Sequence, residues 1–237
     1  MAAAGSGERL GAGGPKAFVP VAGRPMIEWS LDAFRACESV GAIVVAAPAG
    51  QVHDFGRDLD VVSGGATRAQ SVINALEGVE TELVAIHDAA RPLLTPELVE
   101  ELVARLDADS TAAGAIAAAP VIDTVKETGN TSDLATSDAF IPGMTKASLV
   151  VVRTLDRATL WAAQTPQIFR ADALRAALEV EAQTRDAATD EAMLVEAAGG
   201  IVLIHPAPAQ NFKVTTPLDL RVAELLLADR DGSELSP

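Results

Sequence analysis

"ELVAIHDAARPLLTPELVEELVARL" (82–106) decides the fold. Its first half is a short apolar run that goes straight into the polar turn "HDAARP". Its second half opens on Thr95 and Pro96, a cap and a first-turn proline, and then keeps its apolar residues on one stripe. A buried strand followed at once by an amphipathic helix is one half of a parallel β-α unit. The same unit recurs on either side. Upstream, "LDVVSGG" (59–65) leads into "ATRAQSVINALEGV" (66–79), where Val72, Ile73, Leu76 and Val79 mark a helix face. Before that come a helical pattern at 24–37, with Met26, Ile27, Leu31 and Phe34, and the apolar run "AIVVAAP" (42–48). Downstream lie "GAIAAAPV" (114–121), helical patterns at 171–182 and 189–198, a strand at "GIVLIHP" (200–206) and a closing helix near 216–229. Alternation at this rhythm predicts an α/β fold with a largely parallel sheet flanked by helices. Such sheets bind ligands beyond the carboxyl ends of their strands. "SGGATR", "HDAARP" and the N-terminal loop would share that edge.

The N-terminal loop reads "AAAGSGERLGAGGPK" (2–16). A P-loop would need a Lys-Ser or Lys-Thr pair after its last glycine, but Lys16 follows Pro15 and precedes Ala17. A dinucleotide fingerprint would need a third glycine where Leu10 stands. What remains is a loop rich in free amides, with cations at Arg9 and Lys16, which suits an anion-binding nest. A solvated glycine-rich tail is the competing reading.

Composition sharpens the choice. The formal net charge is −15, and a surface that acidic disfavours nucleic acid and anionic membranes. The chain has four lysines, Lys16, Lys126, Lys146 and Lys213, so one set in a glycine loop is informative. Cys37, the single cysteine, excludes an intrachain disulfide and a cysteine metal cluster. No apolar run approaches the roughly 20 residues that span a bilayer, and no secretory signal opens the chain. The expectation is a cytoplasmic protein of one domain over 1–237.

The rhythm breaks between about 122 and 157, where β-branched residues flank a polar, Gly/Pro-containing middle. This reads as an extended hairpin or arm, with a disordered insertion as the alternative. Asp88, just after its strand, would be exposed at the ligand edge and suits Mg²⁺ held mainly by substrate phosphates; a turn or cap aspartate is the alternative. His87 has no second ligand at metal spacing and reads as structural, and Arg91 reads as an assistant or an ion-pair partner. "SGGATRAQS" (63–71) offers close backbone approach plus Arg68 and Ser71 for a base edge, or equally an ordinary strand-to-helix turn. Lys213, beside Asn211 and ahead of Thr215 and Thr216, makes a second anion site at a helix start.

Seven blocks, "AAAGSGERLGAGGPKAF", "GGATRAQSV", "HDAARP", "DTVK", "LDRATLWAAQTPQIF", "TDEAMLVEAAGG" and "NFKVTTPLDL", run in order along nearly the whole chain. Together they closely resemble the 2-C-methyl-D-erythritol 4-phosphate cytidylyltransferases of non-mevalonate isoprenoid synthesis. Ribitol-5-phosphate cytidylyltransferases, the nearest sibling, typically carry serine and valine where this chain has Ala89 and Ala90. The resemblance implies a Rossmann-like, mostly parallel sheet with an extended β-arm for dimerisation. It also implies cytidylyl transfer from CTP to a methylerythritol phosphate, with Mg²⁺ or another divalent cation. By position, Arg9 and Lys16 match the pair that stabilises the transition state. Ala3, Ala4, Gly5 and Gly7 match the triphosphate loop, and Gly65, Arg68 and Ser71 the cytosine side. Asp88 matches the metal ligand at the substrate site. Arg157 and Lys213 match the pair on the attacking phosphate, with Thr165 and Thr189 as hydroxyl partners. In the family the arm exchanges across a homodimer. The chain departs in three places: Ala66 replaces a frequent aspartate, the arm is longer, and only Met1–Ala4 precede the glycine loop, which predicts a short apolar strand upstream. A cytidylyltransferase for another polyol phosphate and a non-catalytic nucleotide binder are the alternative readings.

Overall fold

A computed structural model describes residues 1–5, 7, 10, 14–48, 59–130 and 149–234. They fall into two compact units, Met1–Ala118 with Ala163–Pro237, and Ala119–Ala162.

The larger unit follows the expected rhythm. β1 (Pro20–Val21) and β2 (Arg24–Pro25) form a minimal antiparallel pair before α1 (Met26–Arg35). Pro25 stands at the N-cap position of α1. β3 (Val44–Ala47) runs parallel to β4 (Asp60–Ser63), and Thr67 then caps α2 (Arg68–Leu76) by accepting from the Gln70 amide. β5 (Leu83–Ile86) precedes α3 (Pro96–Asp107), where the Thr95 hydroxyl accepts from the Leu98 amide as its position predicts. β6 (Ala112–Pro120) comes next in this unit, which resumes at Ala163 within β9 (Trp161–Arg170). Then follow α4 (Ala171–Leu178), α5 (Ala182–Ala187), α6 (Glu191–Ala197), β10 (Ile201–Pro206) and α7 (Pro217–Glu234).

The larger sheet has the order β10-β6-β9-β5. β10 is parallel to β6, but β5 is antiparallel to β9, so the sheet is mixed where mostly parallel pairing was expected. The reason lies in β9, which apolar patterning does not reveal: Gln164, Thr165 and Gln167 are polar yet buried. Adjacent residues of β9 feed opposite faces of the sheet. Ile168 packs with Phe34, Leu98, Leu102 and Leu106 on one side. Phe169 packs with Val72, Leu174, Leu178 and Val195 on the other. Gly114 is required by that second layer, because a Cβ there would sit 2.3 Å from the Phe169 ring.

The first residues link the two sheets. Ala2 bridges Ala46 at the end of β3 and Asp88 just beyond β5, both in parallel sense. Its amide donates to the His87 carbonyl at 2.8 Å, and its carbonyl accepts from the Ala89 amide at 3.1 Å. The Met1 ammonium donates to the Val44 carbonyl at 2.6 Å, and burial lowers its pKa to about 6. Behind Met1 lies a cavity of about 350 Å³ lined by Ile43, Val44, Leu83, Val84, Ile86 and other residues of this layer.

In the smaller unit β7 (Lys126–Asn130) and β8 (Leu149–Thr154) pair antiparallel, with a register shift between Glu127 and Thr128. Leu149, Val151 and Val152 of β8 are exposed. The middle of the expected arm, residues 131–148, lies outside the described residues. Among the described residues no helix is long and apolar enough to cross a membrane.

Candidate active site

The predicted ligand edge forms one cavity of about 420 Å³, a size suited to a small-molecule site. Ala3, Ala4, Gly5, Lys16, Gly65, Arg68, Ser71, Asp88 and Lys213 all line it. Each arrives from the end of an ordered element. Ala3 to Gly5 follow the bridge at Ala2, and Gly65 lies just past β4. Arg68 opens α2, Asp88 comes just after β5, and Lys213 stands between β10 and α7.

The glycine loop is held by its own backbone. The Lys16 amide donates to the Gly5 carbonyl at 3.2 Å, and the Leu10 amide to that of Gly7 at 2.9 Å. Gly7 has φ +73°, and a Cβ there would lie 2.9 Å from the Gly14 carbonyl oxygen. Gly7→Ala should therefore reshape this loop at a cost of about 1–2 kcal/mol. The expected result is an affinity for pyrophosphate, a probe of the anion-binding nest, weakened about tenfold, with a melting temperature lowered by a few degrees. Unaltered affinity would show that the loop holds no anion. Arg9 lies outside the described residues.

Asp88 is the electrostatic centre. Its Oδ1 accepts from Arg68 Nε at 3.2 Å and its Oδ2 from Lys213 Nζ at 2.8 Å. Burial pushes its pKa up, but Arg68 and then Lys213 outweigh that, so the carboxyl is held well below its ordinary range. Its amide donates to the Thr165 hydroxyl at 3.0 Å, and that hydroxyl also meets His87 Nδ1 at 3.1 Å. Thr165 is thus buried and orients Asp88. His87 is structural, as its sequence context suggested: it is fully buried, and burial lowers its pKa to about 3. Arg91 is buried too and donates to the Asn211 carbonyl at 2.7 Å. The Asn211 amide nitrogen in turn holds Gln164 Oε1 and the Thr165 carbonyl.

The segment expected on the cytosine side is a tightly braced turn. The Gly65 amide donates to the Ser71 hydroxyl, which itself donates to the Thr67 carbonyl, each at 3.0 Å. A Cβ on Gly64 would lie 2.3 Å from that of Ala4, so the two loops touch at this glycine. Thr189 is exposed, directly before Asp190, which caps α6. Arg157 belongs to the smaller unit, where its guanidinium donates to the Ile122 carbonyl.

Glu191 is the residue that sequence reasoning missed. It is 1% exposed, and both its oxygens accept from Arg68 Nη1, at 2.6 and 2.7 Å. Burial raises its pKa against the pull of Arg68. An acid in the first turn of a helix is ordinary by sequence, so nothing local marked it.

Residues 1–229 match the family model for 2-C-methyl-D-erythritol 4-phosphate cytidylyltransferase. The chain belongs to this family. Among its relatives, the protein of that name from Frankia casuarinae is 43% identical over 98% of this chain and 81% of its own length. The one from Symbiobacterium thermophilum is 38% identical over 96% and 91%. The crystal structure of the Thermus thermophilus protein superposes with a TM-score of 0.73 at 34% identity, covering 92% of this chain and 95% of that one. Gly5, Lys16, Asp88 and Lys213 thus line one cavity in a chain of this cytidylyltransferase family.

Proposed function

We propose that this chain transfers the cytidylyl group of CTP to 2-C-methyl-D-erythritol 4-phosphate. An oxygen of the substrate phosphate bonds to the α-phosphorus of CTP, and the α–β bridging bond breaks, releasing pyrophosphate. The observation that carries this reading is the meeting of Lys16, Arg68, Asp88 and Lys213 around one cavity beside a glycine loop, in a member of this family. Transfer of this kind asks for alignment and charge neutralisation rather than a covalent intermediate.

The roles are assigned by position in the family, and the cavity lining supports those of Ala3, Ala4, Gly5, Lys16, Gly65, Arg68, Ser71, Asp88 and Lys213. Ala3, Ala4, Gly5 and Gly7 wrap the triphosphate, with Arg9 and Lys16 on its developing charge. Gly65 and Arg68 face the cytosine side, and Ser71 serves there by bracing the turn. Lys213 and Arg157 hold the attacking phosphate, with Thr189 at the same end and Thr165 acting through Asp88. Asp88 fits a divalent cation held jointly with substrate phosphates: it is a single carboxylate, kept ionised, at the cavity wall. Among the described residues no group of three or more His, Cys, Asp or Glu is placed to hold a metal without such help. When bound, Mg²⁺ would neutralise charge on the triphosphate and the leaving pyrophosphate.

Pyrophosphate release with CTP and a panel of polyol phosphates, ribitol 5-phosphate included, tests both reaction and substrate. The methylerythritol phosphate should give the highest kcat/KM. A higher value for another member of the panel would reassign the substrate, and no release from any would reject the reaction.

The functional unit in this reading is a cytoplasmic homodimer of single-domain chains, with the arm at 122–157 carrying Arg157 into the partner's site. The exposed aliphatic face of β8 supports it. Mixing Lys16→Ala and Arg157→Ala proteins should then regain activity, because one site of each heterodimer carries neither substitution. Random pairing restores about a quarter of wild-type sites. Verified heterodimers without activity would show that each site is built from one chain.

A further inference from the structure

The Asp88 cluster has an asymmetry that the reaction can use. Two carboxylates, Asp88 and Glu191, meet two cations, Arg68 and Lys213. Arg68 touches both acids, while Lys213 bonds to Asp88. The Arg68 side chain is also the less exposed of the two, 29% against 39%. Arg68 is therefore the fixed partner of Asp88 and Lys213 the exchangeable one.

That matters for a cation. With Lys213 on Asp88 these four side chains sum to zero charge and both Asp88 oxygens are engaged. Once Lys213 turns to a substrate phosphate, Arg68, Asp88 and Glu191 retain one net negative charge beside the cavity. Without Glu191 the remaining pair would be neutral, with Arg68 acting undiluted on the carboxylate that is meant to ligate. We propose that Glu191 is a positioning residue for the divalent-cation site: it fixes Arg68 and offsets its charge, so that Asp88 can take up the cation when Lys213 leaves. The inference rests on the reaction read above, and it concerns a residue that does not itself line the cavity.

The test uses Mn²⁺ as the probe, its free concentration read by electron paramagnetic resonance, with saturating inorganic phosphate present to draw off Lys213. Glu191→Gln keeps the shape and removes the charge, and should weaken Mn²⁺ binding roughly tenfold, as expected for a unit charge acting through a partly exposed cluster. Glu191→Asp keeps the charge and should stay within about threefold of wild type, the range of a small geometric change. Equal affinity in wild type and Glu191→Gln would overturn the proposal, as would Glu191→Asp binding as weakly as Glu191→Gln. If Glu191→Gln fails to fold, Arg68→Met/Glu191→Gln leaves no stranded cation and should bind Mn²⁺ about as well as wild type. A weak double variant would then overturn it. Pyrophosphate release by the wild-type chain, run alongside, tests the reaction separately. Its absence with the Mn²⁺ ranking intact would sink the reaction and leave the role of Glu191 standing.

Discussion

Lys16→Ala should bind CTP within about tenfold of wild type yet lose roughly 10²–10³ in turnover, the range for removing a donor aimed at developing charge. Lys16 stands at the cavity wall, and its amide is tied to the carbonyl of Gly5, which lines the same cavity. In the proposed reading ground-state affinity is shared with the loop amides, so the loss of one ammonium falls on the step where charge moves. Calorimetric CTP titration and single-turnover pyrophosphate release separate the two quantities. Full turnover in a variant of unchanged melting temperature would remove Lys16 from the chemistry.

Asp88→Asn should be as damaging to turnover, by roughly 10²-fold or more, and should also destabilise the chain. It keeps the shape of the side chain but leaves Lys213 without its counter-charge and Arg68 with Glu191 alone. Breaking a fully buried pair costs about 3–5 kcal/mol; Arg68 and Lys213 keep partial access to water, which brings the expected loss to about 2 kcal/mol. The pH dependence gives a second readout. The folded carboxyl sits below its ordinary pKa, so the stability it adds is complete above the unfolded value near 4 and drains away as pH falls toward the folded one. The acid limb of wild-type stability should therefore be steeper than that of Asp88→Asn. Parallel limbs in thermal melts would show that the ion pairs contribute nothing.

The sequence makes legible what depends on short-range patterning. β3 and β6 are runs of small and aliphatic residues that have few alternatives to burial, and Thr95 and Pro96 announce α3. The loop glycines are legible for the same reason: Gly7 stands at positive φ, and Gly64 meets Ala4 too closely for a side chain. β9 is hidden because its buried positions are filled by Gln164, Thr165 and Gln167, whose partners lie elsewhere in the chain. The short pair β1 and β2 leaves no periodicity to detect. Within the site, Asp88 and Lys213 could be nominated one by one, but not as a pair 125 residues apart. Glu191 could not be nominated at all, since its meaning comes from Arg68, 123 residues away. Ser71, which the sequence offers equally to a base edge or to an ordinary turn, braces the turn and also lines the cavity.

The bridge at Ala2 gives the site a built-in gauge. One residue is stitched to His87 and Ala89 on one flank, and its neighbours Met1 and Ala3 are stitched to Ala46 on the other. The glycine loop runs on directly from Ala3. Any rocking of β3 against β5 must therefore tug the loop at its root, and any tightening of the loop around a ligand must clamp the two strands together. The amides of Ala3, Ala46 and Ala89 sit in this seam, so their hydrogen-exchange rates should slow together when CTP is added, well before any product forms. Occupancy could then be followed residue by residue in a protein that has no tyrosine and only two tryptophans to serve as optical probes.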